Sequence, residues 1–182
     1  QQTTYDLKEY EGGRYRDGTL DFTGLGNVDL TMILKEEKIV EVTRGDTTKT
    51  FKNAEKIIGG PGNDTITIKS NAKGWTKIEG RDGDDAFKIS GSPTLPTDPS
   101  SLDGGAGSNT LEFLDQSFFK KSPVQYINFS GQAQRVDTPT GRARDLAANK
   151  GEIFTNFQTI RGSNNKGGIF SSHNGDILIG RN

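Results

Sequence analysis

The stretch Gly59-Gly60-Pro61-Gly62-Asn63-Asp64-Thr65-Ile66-Thr67 constrains the fold more than any other part of this chain. It fits the nonapeptide pattern G-G-x-G-x-D-x-U-x, with U a large apolar residue, at every fixed position. Glycines let the backbone turn tightly, with positive φ where the turn needs it. The apolar residue two places after the Asp opens a short strand and points inward. Where such a unit recurs, short strands stack and their turns line up along an edge.

The unit recurs in decaying form. Gly80-Arg81-Asp82-Gly83-Asp84-Asp85-Ala86-Phe87-Lys88 keeps the first and third glycines, the Asp and the apolar position. Gly104-Gly105-Ala106-Gly107-Ser108-Asn109-Thr110-Leu111-Glu112 keeps all three glycines and replaces the Asp with Asn109. Over 162–182 only Gly162 and Ile169, then Asp176 and Leu178, keep to the pattern. These segments resemble the repeats-in-toxin (RTX, hemolysin-type) modules of large secreted bacterial proteins. The resemblance is specific over 59–67, good over 80–113 and weak over 162–182, and 1–58 and 114–161 carry no such motif. It implies an all-β fold, a right-handed parallel β-roll or β-helix (a solenoid) with glycine-Asp turns and some antiparallel hairpins.

A longer repeat sits above the short one. Phe51, Asn53, Ile57 and Gly59 match Phe154, Asn156, Ile160 and Gly162 at a constant offset of 103 residues. Gly18-Thr19-Leu20-Asp21-Phe22 matches Asn109-Thr110-Leu111-Glu112-Phe113 at an offset of 91. The difference, 103 − 91 = 12, places an insertion in the second copy, in the turn-rich segment 136–150. The chain therefore reads as two related β units, 1–103 and 104–182.

Spacing suggests how the turns meet. Two nine-residue halves make a coil of about 18 residues. Gly59 to Gly80 is 21 residues and Gly80 to Gly104 is 24. The extra residues fit the opposite edge, at 70–74 and 91–101. The 59, 80 and 104 turns then stack, with Asp64, Asp85 and Asn109 in a column. Ile66/Ile68, Phe87/Ile89 and Leu111/Phe113 form inward rows, their period of two being that of half-buried strands.

The resemblance implies calcium, at one or two sites on this edge. Asp64 and Asp85 would supply side chains, with carbonyls from Gly59, Pro61, Asn63, Gly80, Asp82 and Asp84, since calcium takes about 6–8 oxygens. A second site, with Asp85 and Asn109, has one charge fewer. Arg81 stands where the family has glycine. Lys73 and the prolines 93, 96 and 99 argue against calcium on the opposite edge. The same turns can also close without metal, through Asp and Asn side chains that bond nearby backbone.

Composition narrows the function classes. Only 30% of residues are apolar and 24 of 182 are Gly, which suits a narrow core lined by short strands. There is no cysteine, which excludes a disulfide framework and any Cys nucleophile or Cys metal site. Net charge is −1 with both signs interspersed, which argues against nucleic-acid binding. No apolar run approaches a membrane span. The Gln-Gln start and the terminal Gly180-Arg181-Asn182 suggest a fragment of a longer protein with neighbouring domains.

Other chemistry is sparse. His173 is the single histidine and is expected to be exposed in a variable turn. Trp75 is expected to pack, though an exposed Trp there would suit stacking on a sugar. The resemblance thus implies a non-catalytic, calcium-assisted segment of a secreted or cell-surface toxin or adhesin, folding outside the cell. The alternative is a polysaccharide-acting enzyme of epimerase or lyase type, or its carbohydrate-binding module, with Trp75 and surface acids lining a groove. A host-receptor surface using 136–150 is a third.

Overall fold

The computed structural model describes residues 2–6, 14–16, 18–91, 93–96, 98, 100–114, 126–128, 135–137, 143–145, 154–164, 169–171 and 177–181. Every element among these is a strand or one of two short 3-10 turns, Thr23–Leu25 and Glu36–Lys38. The strands are β1 (Gln2–Asp6), β2 (Arg14–Arg16), β3 (Thr19–Asp21), β4 (Leu30–Leu34), β5 (Val40–Arg44), β6 (Thr47–Lys52), β7 (Lys56–Ile58), β8 (Thr65–Ile68), β9 (Lys77–Glu79) and β10 (Ala86–Ile89). They continue as β11 (Leu102–Asp103), β12 (Thr110–Phe113), β13 (Tyr126–Asn128), β14 (Arg135–Asp137), β15 (Ala143–Asp145), β16 (Phe154–Thr155), β17 (Thr159–Asn164), β18 (Ile169–Ser171) and β19 (Ile177–Arg181).

These strands form three open sheets. The large sheet has the order β1-β6-β5-β4-β8-β10-β12-β17-β19 and the second β16-β11-β9-β7-β3-β2. A small sheet, β15-β14-β13-β18, takes in part of the predicted insertion.

This topology corrects the expected β-roll or β-helix. In a roll, successive strands alternate between sheets. Here β4, β5 and β6 follow one another within the large sheet as antiparallel neighbours. The second sheet ends in an antiparallel pair, β2 with β3. The architecture is a sheet-rich fold of open mixed sheets. The physical reason lies in two tight reversals. One is the 3-10 turn Glu36–Lys38, where Glu37 and Lys38 adopt φ of 56° and 58°. Ion pairs Lys35–Glu41 and Lys38–Glu55 hold it. The other is the Gly45 turn, at φ 60°. Both fold the chain back before it can cross to the other sheet.

The rows of apolar residues do form in the expected register. β8, β10 and β12 are parallel, pairing Ile66 with Phe87 and Leu111, and Ile68 with Ile89 and Phe113. β4 joins them, so Met32 extends the first row and Leu34 the second. In the second sheet Leu20, Ile57, Ile78, Leu102 and Phe154 make one row. All of these side chains are buried in one core. Each contributes roughly 1.5–3 kcal/mol on burial. Edge-to-face ring pairs mark its length: Phe22 with Phe51, Phe87 with Phe157, and Phe113 with Phe154. Because β10 pairs with β12, the two predicted units share one sheet.

The long repeat has a structural counterpart. The Gly18 carbonyl accepts from the amides of Glu55 and Lys56, and the Asn109 carbonyl from those of Gln158 and Thr159. The positions correspond at the two sequence offsets. Yet β6 runs from the large sheet into β7 of the second, whereas β16 runs from the second sheet into β17 of the large one. The two copies sit in opposite sheets.

Candidate functional site: a column of Gly-Asx turns

Register carries the turns into a column. Since Thr65, Ala86 and Thr110 are paired neighbours, Asp64, Asp85 and Asn109 fall in line before them. The pairing of Thr31 with Thr65 adds Leu30 at one end, and that of Thr110 with Thr159 adds Gln158 at the other. The same register aligns Asp29, Asn63, Asp84 and Ser108 one position earlier.

Turn amides lie outside the sheet ladders and need acceptors of their own. The inner column supplies them. The amide of Leu30 donates to Asp64 Oδ1 (2.9 Å), that of Asp64 to Asp85 Oδ1 (2.7 Å), that of Asp85 to Asn109 Oδ1 (2.9 Å), and that of Asn109 to Gln158 Oε1 (2.6 Å). Asp64, Asp85 and Asn109 are at most 1% exposed, so water cannot take these places. The outer column runs the other way. The amide of Asn63 donates to Asp29 Oδ1, that of Asp84 to Asn63 Oδ1 and that of Ser108 to Asp84 Oδ1, each at 2.8 Å. Each turn thus reaches back with its inner side chain and forward with its outer one.

This close stacking explains the glycines. A Cβ on Gly83 would collide with the Gly62 carbonyl, and one on Gly80 with Asp85 Oδ2 and the Gly104 carbonyl. The motif is therefore accounted for by backbone approach between turns.

The charged members of the inner column are shifted by their surroundings. Burial pushes the Asp64 carboxyl up to about 6, against the pull of the Leu30 and Gly60 amides. Burial also pushes Asp85 up to about 7, opposed by the Asp64 amide and reinforced by the charges of Asp64, Asp84 and Asp82.

Of the side chains that the resemblance assigns to calcium, most oxygens are engaged by backbone amides, while Asp85 Oδ2 is buried without a hydrogen-bond partner. Both oxygens of Asp64 accept backbone amides, from Leu30 and from Gly60 (2.9 Å). Asp85 Oδ1 and Asn109 Oδ1 are engaged in the same way, and Asn63 Oδ1 and Asp84 Oδ1 serve the outer column. The side chains of Asp82 and Asp84 are exposed, whereas those of Asp64 and Asp85 are buried. Among the described residues no three side chains of metal-ligating type come together. Gly59, Gly80 and Pro61 belong to the stacked turns, where the Gly80 carbonyl abuts Gly59.

Trp75 packs as expected and does not line the groove of the carbohydrate alternative. Trp75 is 4% exposed within the core, and its Nε1 donates to the Lys35 carbonyl (3.4 Å). His173 and the turn before Asp176 lie outside the described residues. No helix among the described residues is long and apolar enough to cross a membrane.

Sequence reasoning found the column but missed its ends. Asp29 lies 34 residues before Asn63, because the β4-β5-β6 reversal intervenes, and Gln158 lies 49 after Asn109. The available signal was the adjacent polar pair that precedes each strand: Asn63-Asp64, Asp84-Asp85 and Ser108-Asn109. No protein-family model matches the chain, and no curated protein or solved structure matches it either.

Proposed function

We propose that this chain is a non-catalytic structural module of a larger extracellular protein, in which stacked Gly-Asx turns tie the sheets together without calcium. The observation that carries this reading is the inner relay from Leu30 through Asp64, Asp85 and Asn109 to Gln158, in which each side chain satisfies the amide of the preceding turn. A scaffold role suits such a column, because most of its polar side-chain atoms are engaged by backbone amides. The extracellular setting follows from the likeness of 59–67 to secreted repeat proteins, and the absence of cysteine is compatible with it.

Thermal melting in EDTA and in millimolar calcium tests the reading. The two curves should coincide. Filling a folded-state site at a hundredfold excess over Kd contributes about 2.7 kcal/mol. For a domain of this size that is a rise of roughly 5–10 °C. A rise of that order would overturn the metal-free reading.

A further inference from the structure

We propose that the cavity between Phe22 and the β5-β6 hairpin is a binding site for a small organic anion, a carboxylate carried on an aromatic ring. This goes beyond the scaffold role and does not rest on the turn column.

β4, β5 and β6 turn one face to the core, and their pairing sorts that face into rows. Leu34, Val40 and Phe51 form the first row, and all are buried. Met32, Val42 and Lys49 form the second. Leu30, Arg44 and Thr47 form the third, nearest the Gly45 turn. Cations thus enter a face that on β8, β10 and β12 carries only Ile66, Ile68, Phe87, Ile89, Leu111 and Phe113.

Two ordinary reasons for inward cations do not apply. Inward-pointing charges guard the open edge of a sheet. Neither strand is an edge, since β5 lies between β4 and β6, and β6 pairs on its other side with β1. Inward cations also answer buried acids, but no acid lines this cavity. Glu41 pairs with Lys35. Asp21 accepts from the amide and hydroxyl of Thr23, and Asp46 from the Thr47 hydroxyl. Among the described residues no ion pair includes Arg44.

The cavity has two halves. Phe22, Val42, Arg44, Thr47, Lys49 and Phe51 enclose about 210 Å³. Phe22, Val42 and Phe51 are buried and make an apolar floor. The two rings meet edge to face with centroids 6.2 Å apart, an arrangement that a third ring extends. Arg44 and Thr47 are exposed and Lys49 is half-buried, so the polar groups stand at the mouth.

This division selects the ligand. An apolar cavity of roughly 150 Å³ holds benzene, so the space here suits a single ring with its carboxylate. The guanidinium of Arg44 offers the fork that a carboxylate accepts in bidentate fashion, and Lys49 and Thr47 add further donors. A bare inorganic anion leaves the floor unfilled. A neutral ring leaves the cations without a counter-charge.

Titration of the protein with phenylacetate, acetate and toluene, followed by amide NMR, tests the site. Phenylacetate should bind saturably with a Kd of roughly 1 mM or tighter. Its shifts should fall on the amides of Arg44, Thr47 and Lys49. Acetate and toluene each lack one half of the ligand and should bind about tenfold more weakly. Arg44→Met and Lys49→Met keep the aliphatic stem and remove the charge. Each should weaken phenylacetate roughly tenfold and leave toluene unchanged. Val42→Phe fills the cavity with both cations in place and should abolish binding. The proposal is overturned if phenylacetate gives no saturable shift around the hairpin, if acetate or toluene binds as well as it does, or if the Met variants bind it as wild type does. Should a variant fail to fold, the three wild-type titrations decide. Failure here leaves the scaffold reading in place, because the turn column takes no part in the site.

Discussion

Asn53 and Asn156, 103 residues apart in the chain, share the same left-handed backbone, each with φ of 61°. Asn is the side-chain-bearing residue best suited to that conformation. Each lies two residues after a buried Phe and precedes a pair of amides that converge on one carbonyl, Gly18 for the first and Asn109 for the second. The repeat is thus a shared way of leaving one sheet and entering the other. It works from either side, which is why its copies end in opposite sheets.

Replacing Asn53 by Gly should cost less than Asn53→Val, which should cost about 1–3 kcal/mol because a β-branched residue is strained in that region. The same contrast should hold at Asn156, where either change also removes the hydrogen bond of Nδ2 to Asp103 Oδ1. Urea unfolding of the four variants measures it. Equal costs for Gly and Val would mean that backbone conformation is not what selects Asn.

The two turn columns should differ in weight. Asp64→Ala leaves the Leu30 and Gly60 amides without acceptors inside the protein, at about 1–3 kcal/mol for each. Asn63→Ala removes one acceptor from the Asp84 amide at an exposed position, where water replaces it, so roughly 0.5–1 kcal/mol is expected. Asp64→Asn should also destabilise, since one oxygen becomes a donor facing an amide. Chemical denaturation of these variants at neutral pH compares them. A stabilising Asp64→Asn would show that Asp64 does not accept both the Leu30 and the Gly60 amides.

Much of this was legible at the level of rows and turns. The alternation in Thr65-Ile66-Thr67-Ile68 and Ala86-Phe87-Lys88-Ile89 gave inward faces that the pairing reproduces, because a slip of one residue would expose every apolar side chain. The Gly-Asx turns were legible because close approach of backbones leaves few residue choices. Sheet membership was not. Nothing local in β5 or β6 says whether a reversal stays within a sheet or crosses to the other, and that choice separates a roll from open mixed sheets. The direction of each polar column was hidden for a similar reason. Asp64 and Asp85 look alike in sequence, and they are told apart by the backbone of the residues four places earlier, Gly60 and Arg81.

The middle row gives a test of the core that separates inward from outward positions. Phe87 is fully buried between Ile66 and Leu111 and stacks edge-to-face with Phe157, its ring centroid 4.9 Å away. Phe87→Ala should cost about 3–5 kcal/mol through lost burial and the cavity left behind. Phe87→Asp should unfold the centre of the chain, because a charge there has no partner and no water. Lys88 points the other way, in a cross-strand row with Thr67 and Glu112. Lys88→Thr removes only the cation opposite Glu112 and should cost about 0.2–1 kcal/mol, far less than the change at Phe87. Lys88→Asp should cost more, since it also places a second acid directly opposite Glu112, and a further penalty of roughly 0.2–1 kcal/mol is expected. That penalty should shrink in high salt, unlike the loss at Phe87. Melting curves of the four variants at low and high salt check both parts. If Lys88→Thr were as damaging as Phe87→Ala, the assignment of faces on β10 would be wrong, and with it the register that aligns Asp85 in the turn column.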